Sequence, residues 1–348
     1  MTDKSNRKAE LLSSPVEHID ITAFDGRPLI DAWEKMSFTS RDAARAARIL
    51  EAAVADPDCS VILTLAGSTS AGGCMDVWRD MVRHNMVDAI VSTGAAIVDM
   101  DFFEALGFRH YQAKEIPDDR VLRDHYIDRI YDTYIDEEEL QACDAATLDI
   151  ANLLEPGPRS SRSYIKAMGK WLADGNAKKQ GSLVQECYEH GVPIFCPAFS
   201  DCSAGFGLVK HQVERMKAKQ PYLSIDSVAD FRELTEVKIA AGSTGLFMVG
   251  GGVPKNFAQD TVVCAEILGV ESPMHAYAVQ ITVADVRDGA CSSSTLKEAC
   301  SWGKVDVALE QMVFAEATTV APVMVSSVYH SRDWEKRVRH RYADMFED

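Results

Sequence analysis

Short apolar runs that end in glycine alternate with helical patterns along the first part of the chain. The runs at 61–67 and 88–94 are typical of buried parallel strands, because such strands are covered on both faces. Alanine-rich or amphipathic patterns predict helices at 40–56, 74–86 and 101–106. Each of these predicted strands is therefore followed by a predicted helix.

The same alternation continues through the rest of the chain. Further strands are predicted at 192–199, 245–250, 276–282 and 312–316, and further helices at 137–154, 161–173, 227–241 and 256–268. Alternation of this kind is typical of βαβ units, which build a mostly parallel sheet. We therefore predict an α/β fold with a single doubly wound, mostly parallel sheet and helices on both faces.

Three segments lie outside this alternation of predicted strands and helices. Residues 1–35 have weak periodicity and are predicted to form an N-terminal arm. The charged and aromatic segment 109–134 is interpreted as a long excursion over the surface, and 332–346 as a charged amphipathic helix. Because no repeat or Pro/Gly linker divides the chain, residues 36–348 are predicted to form one catalytic domain.

The formal net charge of −17 over 348 residues narrows the classes of partner. An acidic surface repels nucleic acid and anionic membranes, so neither partner is expected. The charge suits a cationic ligand, although acidity is also common in enzymes for solubility alone. No apolar stretch reaches the length of a membrane span, and the polar N-terminus lacks the apolar run of a signal peptide.

Nine cysteines are scattered along the chain, and none forms a C-x-x-C pair. The spacing therefore supports neither a zinc site nor a thioredoxin-like motif. Free thiols buried in a reducing cytosol explain this distribution best, so we expect a cytoplasmic protein without a bound metal.

Small and polar residues follow several predicted strands, at 67–73, 92–96, 199–205 and 250–255. Ligands of open α/β sheets bind at these carboxyl ends, and small residues let the backbone approach a phosphate. The sequence therefore predicts a nucleotide site, although the G-x-G-x-x-G fingerprint of ordinary dinucleotide-binding proteins is absent.

The segment Glu298-Ala-Cys-Ser-Trp-Gly-Lys304 is the clearest candidate for covalent chemistry. Burial lowers the pKa of a lysine, and a neutral amine can form a Schiff base. Trp302 offers a π face to a cationic chain, while Asp288 and Glu298 could hold ammonium groups. From spacing alone, an exposed lysine at a helix end is the more common explanation of Lys304.

Four motifs resemble the deoxyhypusine synthase family: Gly250-Gly-Gly-Val-Pro-Lys255, Ser301-Trp-Gly-Lys304, Cys196-Pro-Ala-Phe-Ser-Asp201 and the run from His84 to Gly94. They occur in family order between residues 61 and 322. The resemblance implies an NAD-binding α/β fold and a homotetramer with sites between paired subunits. It also implies that a polyamine is oxidised beside an amine, that its aminobutyl unit forms an imine with a lysine, and that an acceptor amine then displaces that lysine.

The resemblance also implies roles for individual residues. Lys304 matches the imine-forming lysine, Trp302 and Glu298 match polyamine contacts, and Asp201 matches an acidic position near substrate and nicotinamide. The positions that match NAD contacts are Thr69, Ser70, Thr93, Gly94, Asp99, Asp288, Glu316 and Ala317.

Three positions depart from the family pattern at the polyamine end. Asn256 replaces a histidine that handles protons and substrate, Phe206 replaces an aspartate that holds an ammonium, and Cys291 replaces another aspartate. Asparagine cannot serve as an equivalent acid or base. These changes resemble the bacterial deoxyhypusine synthase-like branch and indicate an altered donor or acceptor.

Three functions remain open from the sequence. The first is an NAD-dependent aminobutyltransferase that makes homospermidine or a related polyamine. The second is deoxyhypusine synthase, which transfers the group to a lysine of a translation factor. The third is a non-catalytic NAD or polyamine sensor, against which the retained Lys304 argues.

Overall fold

A computed structural model describes residues 2–290, 292 and 294–347 of the chain. Its strands, in chain order, are β1 (Cys59–Leu65), β2 (Ala89–Ser92), β3 (Tyr111–Gln112), β4 (Ile127–Ile130), β5 (Thr133–Asp136), β6 (Gly157–Arg159), β7 (Ile194–Phe195), β8 (Leu223–Ile225), β9 (Ser243–Val249), β10 (Tyr277–Thr282) and β11 (Glu310–Phe314).

Helices connect most of these strands. They are α1 (Thr2–Leu11), α2 (Arg27–Trp33), α3 (Phe38–Ala55), α4 (Met75–Arg83), α5 (Phe103–Ala105), α6 (Asp119–Asp124), α7 (Glu137–Leu153), α8 (Ser161–Trp171), α9 (Leu183–His190), α10 (Ser203–Lys217), α11 (Ser227–Ala241), α12 (Gly252–Ile267), α13 (Leu296–Ser301) and α14 (Ala317–Ser331). Shorter π-helical segments lie at Ser70–Cys74, Ala95–Phe102 and Leu172–Asn176, and 3₁₀ turns at Asp333–Lys336 and Tyr342–Met345. Within the described residues, no helix is long and apolar enough to cross a membrane.

The central sheet has six parallel strands in the order β11-β10-β9-β1-β2-β7. The chain starts at β1 in the middle and moves outward through β2 to β7. It then returns to β9, on the other side of β1, and moves outward again through β10 to β11. The direction of winding therefore reverses between β1 and β9.

Alternating side chains of each strand enter cores on the two faces of the sheet. Val61 and Leu63 of β1 pack in the cluster that contains residues of α3 and α14. Ile62, between them, packs in the cluster that contains residues of α11, α12 and α13. Helices therefore cover both faces, and the predicted α/β class with a mostly parallel sheet is confirmed.

The middle of the chain is more regular than we predicted for 109–134. Strands β3, β5 and β4 pair as a small antiparallel sheet, next to the short helix α6. The Tyr134 side chain of β5 is fully buried in a separate small cluster with Leu11, Leu122 and Ile127. The predicted surface excursion is therefore a small sheet with its own core.

Part of the predicted N-terminal arm, 1–35, lies against the rest of the chain. Ile21 and Ile30 are fully buried. The backbone N–H of Gly26 donates to the Ser326 hydroxyl at 3.1 Å, and that hydroxyl donates to the Phe24 carbonyl at 2.6 Å. The predicted arm therefore contains two helices, α1 and α2, and contributes side chains to the main core.

The C-terminal segment 332–346 does not form the predicted amphipathic helix. Instead, the buried Arg337 guanidinium of this segment pairs with the buried Asp88 carboxylate just before β2. The same guanidinium donates to the carbonyls of Ala53 and Cys59, each at 3.3 Å. Because Asp88 also accepts from the Val61 N–H at 2.7 Å, this ion pair fastens the C-terminus to the centre of the sheet.

We expect Arg337→Ala to lower the free energy of unfolding by about 3–5 kcal/mol, because it removes the guanidinium from the buried Asp88 carboxylate. That charge would keep the Val61 N–H and the His340 ring, whose Nδ1 lies 3.4 Å away, but it would lose its arginine. Lys336→Ala is the matched control, since Lys336 pairs with Asp333 on the surface and such a pair contributes about 0–1 kcal/mol. Urea unfolding followed by circular dichroism measures both variants. Equal stability of the two variants would show that the Arg337 pair contributes no more than a surface pair.

Candidate functional site

A cleft of about 1220 Å³ opens at the carboxyl ends of the parallel strands. Its walls are loops that follow β1, β2, β9, β10 and β11, together with part of the segment 130–133. The connections after β1 and β9 leave the sheet in opposite directions, so their loops separate. Ligands of open α/β sheets bind at such a point.

Two glycines allow close backbone approaches beside the cleft. A Cβ added to Gly94 would lie 2.6 Å from the Cys202 Sγ. At Gly250, where φ is +74°, a Cβ would lie 2.9 Å from the Ala66 carbonyl oxygen. A larger residue at either position would push neighbouring loops apart. These glycines therefore set the distances between the loops that line the cleft.

Helices α12 and α14 both begin at the cleft, but their N-termini differ. Gly251 and Gly252 start α12 at the cleft, without a side-chain cap among the described residues, and such a helix N-terminus favours an anion such as phosphate. At α14, the Glu316 carboxylate accepts from the N–H groups of Thr318 and Thr319 at 3.1 and 3.2 Å. Partial burial opposes ionisation of Glu316, but these hydrogen bonds lower its pKa. The start of α12 is therefore better suited to an anion than the start of α14, which the Glu316 carboxylate already caps.

Two aspartates lie at or near the cleft. Asp201 is exposed and lines the cleft. Asp99 is partly buried, and its carboxylate accepts from the backbone N–H of Ser203 at 2.7 Å. Burial raises the pKa of Asp99 to about 6, although the hydrogen bonds from Ser203 oppose this rise. Asp99 thus holds the start of α10, whereas Asp201 faces the cleft.

The cleft brings together part of the predicted cofactor-binding and substrate-binding sets. The predicted residues that line it are Thr69, Thr93, Gly94, Asp201, Glu316 and Ala317. Ser70 is buried next to Thr69 and does not line the cleft. Asp288 is exposed on the loop after β10, where its carboxylate accepts from the Ala290 N–H at 3.1 Å. Cys291 lies outside the described residues.

Lys304 lies outside the cleft, shortly after α13. Its ammonium pairs with the Asp260 carboxylate of α12 and lies 5.3 Å from the centre of the Trp302 ring. The Lys304 side chain is 14% exposed and the Asp260 side chain 28%. Trp302 itself is 70% exposed. The amine is therefore largely shielded from bulk water, while the ring beside it is open to a ligand or a partner.

Asp260 is the residue near Lys304 that sequence reasoning missed. The Asn256 side-chain amide donates to the Asp260 carboxylate at 3.0 Å, one helical turn away. The i, i+4 spacing from the altered position Asn256 was a signal for this contact. The contact between Lys304 and Asp260 had no such signal in the sequence, because it depends on how α12 and α13 pack together. Asp260 thus joins Asn256 to Lys304.

Glu298 and Phe206 are in different surroundings. Glu298 forms a capping box with Thr295 at the start of α13, and hydrogen bonds with Thr295 lower the pKa of Glu298. Phe206 is 69% exposed on α10 and lines a separate hollow with Asp128 and Asp144. Within this chain, neither side chain lines the glycine-rich cleft.

Helix α12 connects the cleft to the surroundings of Lys304. It begins at the cleft with Gly252 and carries Asp260 eight residues later. Eight residues of helix span about 12 Å along its axis. Within one chain, the cleft and the Lys304 amine are therefore two separate regions on the same helix.

Comparisons with known proteins agree over most of the chain. A family model for deoxyhypusine synthase matches residues 28–328. A deoxyhypusine synthase-like protein of Caulobacter vibrioides is 71% identical over 342 residues, which are 98% of this chain and 93% of the relative. One from Coxiella burnetii is 66% identical over 339 residues, with coverage of 97% and 96%.

The fold is also similar to the crystal structure of an Entamoeba histolytica protein that is named as a candidate deoxyhypusine synthase. The TM-score is 0.58 at 21% identity, and the similarity covers 90% of this chain and 97% of that one. At this identity the likeness concerns the fold alone. The family model and the bacterial relatives extend it to the sequence, and the chain therefore belongs to the deoxyhypusine synthase family.

Proposed function

We propose that this protein is an NAD-dependent aminobutyltransferase that acts on polyamines through an imine on Lys304. Family membership implies aminobutyl transfer in general. The observation that supports this particular proposal is the setting of the Lys304 amine, which is shielded, paired with Asp260 and close to the Trp302 ring. A shielded lysine can act as a nucleophile once its ammonium group has given up a proton.

The cleft suits NAD in size and in the groups that it presents. Its volume of about 1220 Å³ is sufficient for a dinucleotide. The strand order, with its reversal between β1 and β9, is the order of dinucleotide-binding Rossmann sheets. Thr69, Thr93 and Glu316 would contact the cofactor, with the pyrophosphate at the start of α12. When bound, NAD supplies a hydride acceptor that is regenerated in each turnover.

The residues around Lys304 supply the group-transfer chemistry. The neutral amine attacks the carbon of an imine and takes over its four-carbon unit. The exposed face of Trp302 binds the cationic chain through its π electrons. Asp201, in the cleft, provides a carboxylate for an ammonium of the donor.

The acceptor that we propose is a small amine, and the product is homospermidine or a related polyamine. Asn256 and Phe206 support this choice, because both replace groups that the family pattern uses to hold and deprotonate its substrate. An asparagine side chain such as that of Asn256 does not titrate near neutral pH. Phe206 presents an exposed aromatic ring where the pattern has a carboxylate. Two of the positions that the family pattern uses to hold its substrate are therefore changed in this chain.

We also propose that a second copy of the chain completes the site, within a homotetramer. Within one chain, Lys304 does not line the cleft. We therefore propose that the cleft of one chain and the Lys304 of another form the complete site. The region from β10 to β11 exposes several large apolar side chains, and β11 is an edge strand. These side chains are Val283, Val286, Trp302, Val307, Leu309 and Phe314.

We expect the protein to form a new triamine from putrescine, alone or with spermidine as donor, when NAD is present. Borohydride should trap an aminobutyl adduct on Lys304, which peptide mass spectrometry would locate. Lys304→Ala and Lys304→Arg should abolish both signals, because arginine keeps the charge but forms no imine. The residual rate should be at least about 100-fold lower.

A triamine formed equally well by Lys304→Arg would exclude the imine mechanism. Absence of any new amine with every donor and acceptor, next to an active homologue as control, would exclude a small-molecule acceptor. Transfer of label from spermidine to a translation-factor lysine would instead identify the chain as a deoxyhypusine synthase.

Mixing two inactive variants should restore activity if two copies share each site. Lys304→Ala lacks the nucleophile, and Asp201→Ala lacks an exposed carboxylate of the cleft. In a mixed pair, one of the two sites receives an intact Lys304 and an intact Asp201. Random pairing should therefore recover about a quarter of the original activity.

The two variants are unfolded and refolded together, or co-expressed, and triamine formation is measured against each variant alone. A mixture that stays as inactive as its components would show that each site is built from one chain. Size-exclusion chromatography with light scattering confirms that the mixed protein assembles.

A further inference from the structure

Transfer of an imine from one amine to another requires a proton carrier. The attacking amine becomes positively charged when it adds to the imine carbon, and the leaving amine departs only after it gains a proton. The proton must therefore move between two nitrogens on the same carbon. A carboxylate in contact with the attacking nitrogen is suited to this task.

Asp260 has the position that such a carrier needs. Its Oδ1 contacts the Nζ of Lys304, and its Oδ2 accepts from the Asn256 amide at 3.0 Å. The amide holds the carboxylate in one orientation while it leaves Oδ1 with the lysine. Asp260 is also more exposed than Lys304, so an incoming nitrogen can reach the pair from the open side.

The backbone around Lys304 is fixed to α12 through His275. The His275 N–H donates to the Lys304 carbonyl at 3.0 Å. Its ring lies between Thr244 and Ala258, with Nε2 3.0 Å from the Ala258 carbonyl and Nδ1 2.7 Å from the Thr244 hydroxyl. Since a carbonyl only accepts, Nε2 donates and Nδ1 accepts. Burial lowers the pKa of His275 to about 3, so the ring is a neutral structural link.

Other charged groups near α13 have different partners. The Glu298 carboxylate is engaged in the cap with Thr295. Asp306, two residues after Lys304, accepts from the Ala308 N–H at 2.9 Å. Lys255 is buried and donates to the Ser294 carbonyl. Asp260 is the carboxylate that the structure places against the reacting nitrogen.

We propose that Asp260 is a catalytic residue that carries the proton during imine transfer at Lys304. This proposal rests on the proposed function. The Lys304 ammonium first releases one proton to water through this carboxylate. The neutral amine adds to the protonated imine of the donor, a C–N bond forms, and the electron pair of the C=N bond moves to the donor nitrogen. Asp260 takes a proton from the Lys304 nitrogen and gives it to the donor nitrogen.

The bond from carbon to the donor nitrogen then breaks, and its electron pair leaves with the donor amine. The lone pair of the Lys304 nitrogen forms the new C=N bond, so one protonated imine has replaced another. Asp260 ends as the carboxylate with which it began. The same steps in reverse, with an acceptor amine in place of the donor amine, pass the imine carbon to that acceptor and release Lys304. Asp260 thus restores an acid–base group next to the position where Asn256 replaces a titrating residue.

The step can be measured without NAD by using 1-pyrroline, the cyclic imine of 4-aminobutanal. Attack of Lys304 opens the ring and leaves a 4-aminobutyl imine on the lysine. Borohydride added at timed intervals reduces this imine to a stable amine, and peptide mass spectrometry gives the rate of Lys304 labelling. We expect Asp260→Asn, in the full-length chain, to slow this labelling by about 100-fold.

Two further variants separate proton transfer from structure and from net charge. Glu266→Gln removes one exposed carboxylate from the same helix and should label at the original rate. Asp260→Glu keeps a carboxylate on a longer side chain and should recover labelling to within about 10-fold of the original. Thermal midpoints of all three variants show whether a slow variant is folded.

Equal labelling rates for the unaltered chain and Asp260→Asn would overturn the proposal, as would an equal loss in Glu266→Gln. The proposal for Asp260 would also fail if the unaltered chain acquired no label on Lys304. Failure of the proposed function has a different signature. In that case labelling would depend on Asp260, but no triamine would form with NAD and polyamines.

Discussion

The reversal of winding between β1 and β9 is the constraint on which the rest of this structure depends. Parallel strands place all their carboxyl ends at one edge of the sheet, and the reversal separates the loops at one point of that edge. Glycines at 94 and 250 then bring neighbouring backbone segments close enough to line the opening. The cleft follows from topology and small residues, without the G-x-G-x-x-G fingerprint of ordinary dinucleotide-binding proteins.

Helix α12 contributes residues to two separate regions. Its first turn serves the cleft, while Asn256 and Asp260, farther along, serve Lys304. Within one chain, the two regions are about 12 Å apart along the axis of the helix. The assembly that we propose answers this separation, because a second copy can bring its own Lys304 to the cleft of the first.

The sequence predicted the central sheet well because its strands are buried on both faces. Such strands are apolar at nearly every position, and each was recognised within a few residues of its observed bounds. The small antiparallel sheet was not predicted because its strands have only two to four residues. In addition, apolar and polar residues do not alternate strictly along the β4 sequence Ile-Asp-Arg-Ile. The helix predicted at 332–346 was wrong because Arg337 and Arg339 donate to backbone carbonyls of other elements, a tertiary effect that periodicity does not contain.

Some residues of the candidate site could likewise be predicted from local sequence patterns, whereas others are brought together only by tertiary packing. Residues such as Thr69, Thr93 and Glu316 follow predicted strands, so the sequence could place them at one edge. The pairing of Lys304 with Asp260 joins residues far apart in the chain and depends on the packing of α13 against α12. Seen from the sequence, Asn256 is the loss of a titrating group. In the structure its amide donates to the Asp260 carboxylate one turn away. Under the mechanism that we propose, the acid–base function is therefore displaced along the helix and not removed from it.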